Sequence, residues 1–126
     1  MGYTRYWKRT SEPLTEDFLE AVREILEDCD KRGIIVRDGW GENVPKVTLE
    51  EVAINGNAET ELDHETFCLD NEPSDFEFCK TARKPYDYAV RKILKVAKEM
   101  GLVTNVRSDG PNRRIISDSR YLSEEV

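Results

Sequence analysis

Helical periodicity is confined to two segments of this chain, and this restriction limits the possible folds more than any other feature. In residues 15–32 the apolar side chains recur every three or four positions, which is the spacing of one buried helix face. Thr15 is the predicted N-cap of this helix. A second periodic segment begins near Pro85, a residue suited to the first helical turn, and ends at Gly101. We therefore expect two helices.

Short segments with strand-like alternation surround the two helices. The six segments cover residues 2–9, 34–37, 47–54, 65–70, 76–80 and 102–107. The apolar phase of the third slips near Glu50 and Glu51, which predicts a β-bulge, and residues 113–117 are an ambiguous further strand. The order β-α-β-β-β-β-α-β predicts an α+β fold, with a mixed or antiparallel sheet of about six strands and two helices packed on one face. The length of 126 residues predicts one domain, spanning residues 1–126.

Charge is unevenly distributed along the chain. Residues 12–75 hold 19 acidic and 5 basic side chains, the remainder holds 7 acidic and 14 basic ones, and the net charge is −7. An acidic protein is a poor candidate for general nucleic-acid binding, but this division permits a local positive field. Three cysteines without a CxxC pair, and no apolar export signal at the N-terminus, predict free thiols and a cytoplasmic location. The apolar runs are too short to predict a membrane span.

The segment FCKTARKPYDYAVRK, residues 78–92, breaks a local rule. It places Lys80, Arg83 and Lys84 where a strand is followed by a helix, although helix N-termini normally attract acidic side chains. A bound anion would remove this conflict, because backbone N–H groups at a helix start bind phosphate, Arg grips it bidentately and Thr81 adds a donor. The bases that follow favour a solvated helix face, and only Arg91 among them joins the candidate ligand set.

Aromatic residues near basic ones form the second candidate feature. Tyr3 and Trp7 alternate with Arg5 in the N-terminal GYTRYW strand, an arrangement that suits a nucleobase and its phosphate. Tyr86 offers another ring at the start of the second helix. For the N-terminal strand, packing of Trp7 and Tyr6 in a core or interface is the alternative interpretation. Trp40 lies in a glycine-rich loop, where it could cover a site, contact a partner or pack on a sheet edge.

Signals for catalysis are weak. His64 is the only histidine, and its spacing from Cys68 and Cys79 matches no zinc motif. The two cysteines alternate with phenylalanines on predicted strands, which favours burial over a Cys–His nucleophile pair. No P-loop and no GxGxxG motif occurs. The sequence therefore predicts a protein that is not an enzyme and that uses no cofactor and no metal.

GYTRYW at the start and FCKTARKPYD in the second half together carry a resemblance. In these two segments the chain resembles a family of small uncharacterised proteins encoded largely by bacteriophages, prophages and related mobile elements. The resemblance implies a phage-type setting, in which small proteins often counter host defence by sequestering signalling nucleotides or by blocking a defence protein.

These observations combine into one functional prediction. We expect an anti-defence protein in the host cytoplasm that sequesters a small anionic ligand, a nucleotide or cyclic nucleotide immune signal. A homodimer or higher oligomer is expected, because an exposed sheet face or edge needs cover. The predicted phosphate ligands are Lys80, Thr81, Arg83, Lys84 and Arg91; Arg5 would neutralise charge, and Tyr3, Trp7 or Tyr86 would stack on the base.

Two alternatives remain open. The acidic segment, residues 12–75, could mimic nucleic acid and inhibit a host defence nuclease by direct protein–protein contact. The second alternative is a nucleotide-cleaving enzyme, which the single histidine disfavours.

Overall fold

The computed structural model describes residues 2–124, and six strands and three α-helices lie within them. In chain order the elements are β1 (Thr4–Arg9), α1 (Glu16–Lys31), β2 (Lys46–Val47), β3 (Glu51–Ile54), β4 (Phe67–Asp70), β5 (Ser74–Lys80), α2 (Asp87–Glu99), β6 (Val103–Ser108) and α3 (Asp118–Glu124). The α+β class predicted from the sequence is confirmed.

The strands form two antiparallel sheets, so the prediction of one six-stranded sheet was wrong. The first sheet has the order β5-β1-β6 and the second the order β2-β3-β4. Strands β4 and β5 follow each other after a three-residue turn, yet they belong to different sheets. The N-terminal strand β1 lies between β5 and β6, and this non-local pairing separates β5 from the strand before it.

The first helix forms as its sequence predicts. The Thr15 side chain caps it by accepting a hydrogen bond from the Phe18 backbone N–H at 3.2 Å. Glu16 and Asp17 occupy the first turn, where the helix dipole favours acidic residues. The apolar stripe, which includes Phe18 and Val22, is buried. Local sequence therefore accounts for both the start and the buried face of α1.

Residues 47–54 form a hairpin instead of the predicted bulged strand. The Thr48 hydroxyl accepts hydrogen bonds from the backbone N–H groups of Glu50 and Glu51, a local turn that reverses the chain. Strands β2 and β3 lie on either side of this turn. The phase slip was thus a real signal, but of a turn. The predicted strand at residues 34–37 is reduced to a single bridge between Arg37 and Asn55.

One continuous core joins the two sheets and the helices. Trp7 and Val103 come from the first sheet, Ile54 and Phe67 from the second, and both long helices add buried side chains. Helix α2 packs against α1 and β6. The two helices therefore do not share one face of a single sheet, as predicted, but help to join two small ones.

The C-terminal region holds a third helix that the sequence did not predict. Residues 113–117 form no strand, and α3 follows them. Asp118, the first residue of α3, is buried, and its side chain accepts a hydrogen bond from the Ile35 backbone N–H at 2.9 Å. No helix within residues 2–124 combines the length and the apolar composition that a membrane crossing requires.

Candidate functional site

The predicted anion site at the start of α2 is filled by a carboxylate of the protein itself. The Thr81 hydroxyl donates to Asp87 Oδ1 at 2.6 Å. Arg5 donates from Nε and Nη2 to the two oxygens of Asp87, both at 2.8 Å, and this pair is largely buried. Asp87 therefore occupies the position in which the sequence predicted a phosphate, and neither Thr81 nor Arg5 is available to a ligand there.

The backbone of this turn is also occupied. The N–H groups of Thr81 and Ala82 donate to the Tyr3 carbonyl, and the Lys84 N–H donates to the Thr81 carbonyl. Ala82 and Arg83 both adopt positive φ angles, 54° and 55°, which non-glycine residues rarely do. The turn is thus held by its own hydrogen bonds, and the prediction that its amides point outward to an anion is wrong for these groups.

The three cations of the predicted cluster point to different places. Arg83 lies over the Tyr3 ring, 3.8 Å from its centroid, and donates to the Pro111 carbonyl. Lys84 donates to the Glu61 carbonyl at 3.0 Å. Lys80 is exposed, with Nζ 5.9 Å from the ring centroid of Phe78. Lys80 therefore lies apart from the other two, whereas Arg83 and Lys84 line one small cavity of about 40 Å³ together with Arg91.

The rings predicted to stack on a base are buried. Tyr3, Trp7 and Tyr86 are 2%, 3% and 0% exposed. The Tyr3 hydroxyl donates to the Gly110 carbonyl and the Tyr86 hydroxyl to the Glu65 carbonyl, while Trp7 packs against Phe67. The three side chains belong to the core, so their predicted stacking role is inconsistent with the structure.

A basic groove lies between α2 and β6, beside the predicted site. Its volume is about 550 Å³, within the range of roughly 300–1,000 Å³ that is typical of ligand sites. Arg91, Lys95 and Lys98 lie at helical spacings of four and three residues on α2, which places them on one face. Six cations line this basic groove. One is Arg5, which is paired with Asp87. The other five, which we call the groove cations, are Arg91, Lys92, Lys95, Lys98 and Arg107.

The groove cations have no carboxylate partners within residues 2–124, since none of the five takes part in a described ion pair. Arg91 lies over the Tyr88 ring and Arg107 over the Tyr6 ring. At the rim, Arg5 forms an ion pair with Asp87 and donates a hydrogen bond to Asn112. Lys92 and Arg107 interact electrostatically with Asp28 and Asp109 over longer distances. The groove therefore carries positive charge that no direct ion pair within the described residues neutralises.

Sequence reasoning retained Arg91 and set aside the neighbouring cations that line the same groove. The available signal was the helical spacing of Arg91, Lys95 and Lys98 in a segment with almost no acidic residues. Arg107 was not predictable as a neighbour, because β6 meets α2 only through the tertiary fold.

The thiols are free and poor nucleophiles. Burial raises the pKa of Cys29, Cys68 and Cys79 to about 12, so each is protonated at neutral pH. Cys68 donates to Glu51. No group of three or more potential metal ligands occurs within the described residues.

Trp40 is strongly exposed, at 81%, as is the nearby Val44. The two side chains line a separate surface cavity of about 420 Å³. Packing of Trp40 down on a sheet edge, one of the interpretations of its loop, is therefore not observed.

Comparisons with known proteins gave no match: no protein-family model, no curated protein and no solved structure is significantly similar to this chain.

Proposed function

We propose that this protein binds and sequesters a small anionic ligand, a nucleotide or cyclic nucleotide, in the basic groove between α2 and β6. The observation that carries this proposal is the group of five cations around one cavity without a carboxylate partner among the described residues. Cations held close together repel one another, and an anion between them removes that cost.

The composition of the groove favours binding over cleavage. Its lining contains no carboxylate, histidine or thiol among the described residues. None of these groups is therefore present in the lining to act as a general base on a bound ligand. Arg91 and Arg107 can hold phosphate oxygens bidentately, and the lysines add point charges. In the phage-type setting that the resemblance implies, tight binding alone would remove a signal from the host.

Isothermal titration calorimetry with mono-, di- and cyclic nucleotides tests the proposal. We expect at least one to bind, and the double substitution Lys95→Ala/Lys98→Ala to weaken it about tenfold or more, because each lost charged hydrogen bond contributes about 1.5–3 kcal/mol. A ligand at about 100 times its Kd should also raise the free energy of unfolding by about 2.7 kcal/mol.

Lys31→Ala is the matched control, since Lys31 is an exposed lysine on α1 that pairs with Glu27. It should leave affinity unchanged. Absence of binding by every nucleotide, or equal affinity of the double variant and the unmodified protein, would contradict the proposal. Chromatography of the ligand after incubation separates sequestration from cleavage, which converts it to products.

A second candidate function is supported by the outer face of α1. Six acidic side chains are exposed along this helix: Glu16, Asp17, Glu20, Glu24, Glu27 and Asp30. Only Glu20 and Glu27 among them form ion pairs within the described residues. Such a stripe of negative charge could occupy the basic cleft of a nuclease as a mimic of nucleic acid.

Inhibition of purified defence nucleases separates the two candidates. If the acidic stripe acts, the triple substitution Glu16→Gln/Glu20→Gln/Glu24→Gln should abolish inhibition, while Lys95→Ala/Lys98→Ala should not. If Lys95→Ala/Lys98→Ala abolishes inhibition and the triple glutamate substitution does not, the basic groove is the functional surface.

A further inference from the structure

The outer face of the first sheet carries a row of three aromatic side chains, two of them exposed and one, Tyr6, half-buried. Phe76 and Phe78, on the edge strand β5, are 54% and 45% exposed. The Tyr6 ring lies 5.9 Å from that of Phe76, which lies 5.7 Å from that of Phe78. Large rings rarely remain exposed side by side without a function. We call Tyr6, Phe76 and Phe78 the aromatic row.

Strand register aligns this row with a cation of the groove. Phe78 lies opposite Tyr6 across β5 and β1, and Tyr6 lies opposite Arg107 across β1 and β6. The Arg107 guanidinium is 4.4 Å from the Tyr6 ring centroid. Because Arg107 also lines the basic groove, this side chain lies between the aromatic row and the groove at the β6 edge of the sheet.

Other charges around the aromatic row are of both signs. Lys80 lies near the Phe78 ring, and Lys8 is exposed on β1. Asp75 pairs with Lys8, and Asp109 accepts a hydrogen bond from the Tyr6 hydroxyl. Asp75 is thus paired with a cation, whereas Asp109 keeps its negative charge because its partners, the Tyr6 hydroxyl and the Thr4 N–H, are uncharged. Lys8, Lys80 and Arg107 still outnumber these two carboxylates around the row.

We propose that the aromatic row stacks the unpaired bases of single-stranded nucleic acid while its phosphates continue past Arg107 into the basic groove. This inference rests on the proposed function, because it uses the same groove, and it extends the ligand from a single nucleotide to a short oligonucleotide. Stacking suits any base, since each has a π face, and a flanking positive groove tracks the backbone.

A second copy of this chain is a less suitable occupant. In a two-fold symmetric contact the face meets itself, so the excess of Lys8, Lys80 and Arg107 over Asp75 and Asp109 would face a like charge. Exposed aromatic rings with a cationic border instead complement an anion that carries flat apolar groups.

Fluorescence anisotropy with labelled oligothymidylate and oligouridylate of eight nucleotides tests the inference. We expect both strands to bind more tightly than a mononucleotide, and the double substitution Phe76→Ala/Phe78→Ala to weaken them about tenfold or more. The same variant should bind mononucleotides with unchanged affinity. Phe76→Tyr/Phe78→Tyr keeps the flat rings and should retain oligonucleotide affinity. Because these positions are exposed, circular dichroism should show both variants folded.

The failures of the two proposals are distinguishable. The inference is overturned, and the proposed function stands, if mononucleotide binding depends on Lys95 and Lys98 but oligonucleotides bind no more tightly than mononucleotides. In that case Phe76→Ala/Phe78→Ala should also leave oligonucleotide affinity unchanged. If neither class of ligand binds, both are overturned. Sedimentation that reveals a dimer lost in Phe76→Ala/Phe78→Ala would assign the aromatic row to self-association and overturn the inference.

Discussion

Asp87 explains why cations are tolerated at the start of α2. It is an acidic residue in the first turn, where the helix dipole stabilises negative charge, and it accepts hydrogen bonds from Arg5 and Thr81. The helix start therefore does have an acidic residue, Asp87, three positions after Lys84. The missing negative charge was in the sequence, but its contact with Arg5 joins residues 82 positions apart.

Loss of the Asp87 charge should destabilise the protein. Asp87→Asn leaves the buried Arg5 guanidinium without its anionic partner, and we expect the free energy of unfolding to fall by about 3 kcal/mol. Urea unfolding followed by circular dichroism measures this change. Asp75→Asn is the control, because its pair with Lys8 is exposed and should contribute under about 1 kcal/mol. Equal losses of stability in the two variants would show that the Arg5–Asp87 ion pair contributes no more than the exposed Lys8–Asp75 pair.

Asp118 should make stability depend on pH in the direction opposite to a typical salt-bridged acid. Burial raises the pKa of Asp118 above its ordinary value of 3.8, and its Oδ2 has no hydrogen-bond partner among the described residues. The native state therefore keeps this proton to a higher pH than the unfolded chain. The free energy of unfolding falls as pH rises through the interval between the two pKa values.

Asp118→Asn removes this penalty but keeps an oxygen that can accept from the Ile35 N–H. At neutral pH we expect the variant to match or exceed the stability of the unmodified protein, with an advantage that shrinks as the pH falls through the raised native pKa of Asp118 toward 3.8. Urea midpoints at neutral and acidic pH provide the measurement. A deficit of the variant that widens as the pH rises would show that the ionised carboxylate stabilises the fold.

Among the elements, α1 is the one whose boundaries follow most directly from local sequence. Its cap, its acidic first turn and its buried stripe all lie within residues 15–31, so no distant partner is needed to define it. The strands differ, because alternation marks a strand but not its neighbour. The turn at Thr48 is local, but the separation of β4 from β5 depends on the pairing of β5 with the distant strand β1.

The Thr15 cap offers a test at this scale. Thr15→Ala removes the hydrogen bond to the Phe18 N–H and should reduce the free energy of unfolding by about 1 kcal/mol. Thr15→Ser keeps the hydroxyl and should retain most of that stability. Thermal or urea unfolding of the three proteins measures the difference. If the serine and alanine variants lose equally, the methyl group of Thr15 rather than its hydroxyl stabilises the site.

For the whole molecule, the separation of charge along the chain becomes a separation in space. The acidic side chains of α1 are exposed on that helix, whereas the basic ones of α2 and β6 border the groove. A net charge of −7 thus coexists with a local positive site, as the uneven sequence permitted.

Salt should act in opposite directions on the free and the bound protein. Sodium chloride screens repulsion between the groove cations and should stabilise the unliganded fold, but it should weaken nucleotide affinity. Calorimetry and thermal unfolding across a salt series measure the two effects. In Lys95→Ala/Lys98→Ala both dependences should be smaller. A nucleotide affinity that does not respond to salt would indicate a ligand held by contacts other than charge.

By itself the sequence determined the α+β class, the first helix and the presence of unbalanced positive charge in the second half, because each depends on residues close together in the chain. Only the tertiary structure decided which charges are neutralised and which aromatic rings are exposed. Asp87 cancels Arg5, Trp7 and Tyr86 enter the core, and Phe76 and Phe78 remain outside. Those outcomes depend on β1 inserting between β5 and β6, a pairing of distant segments that no local pattern specifies.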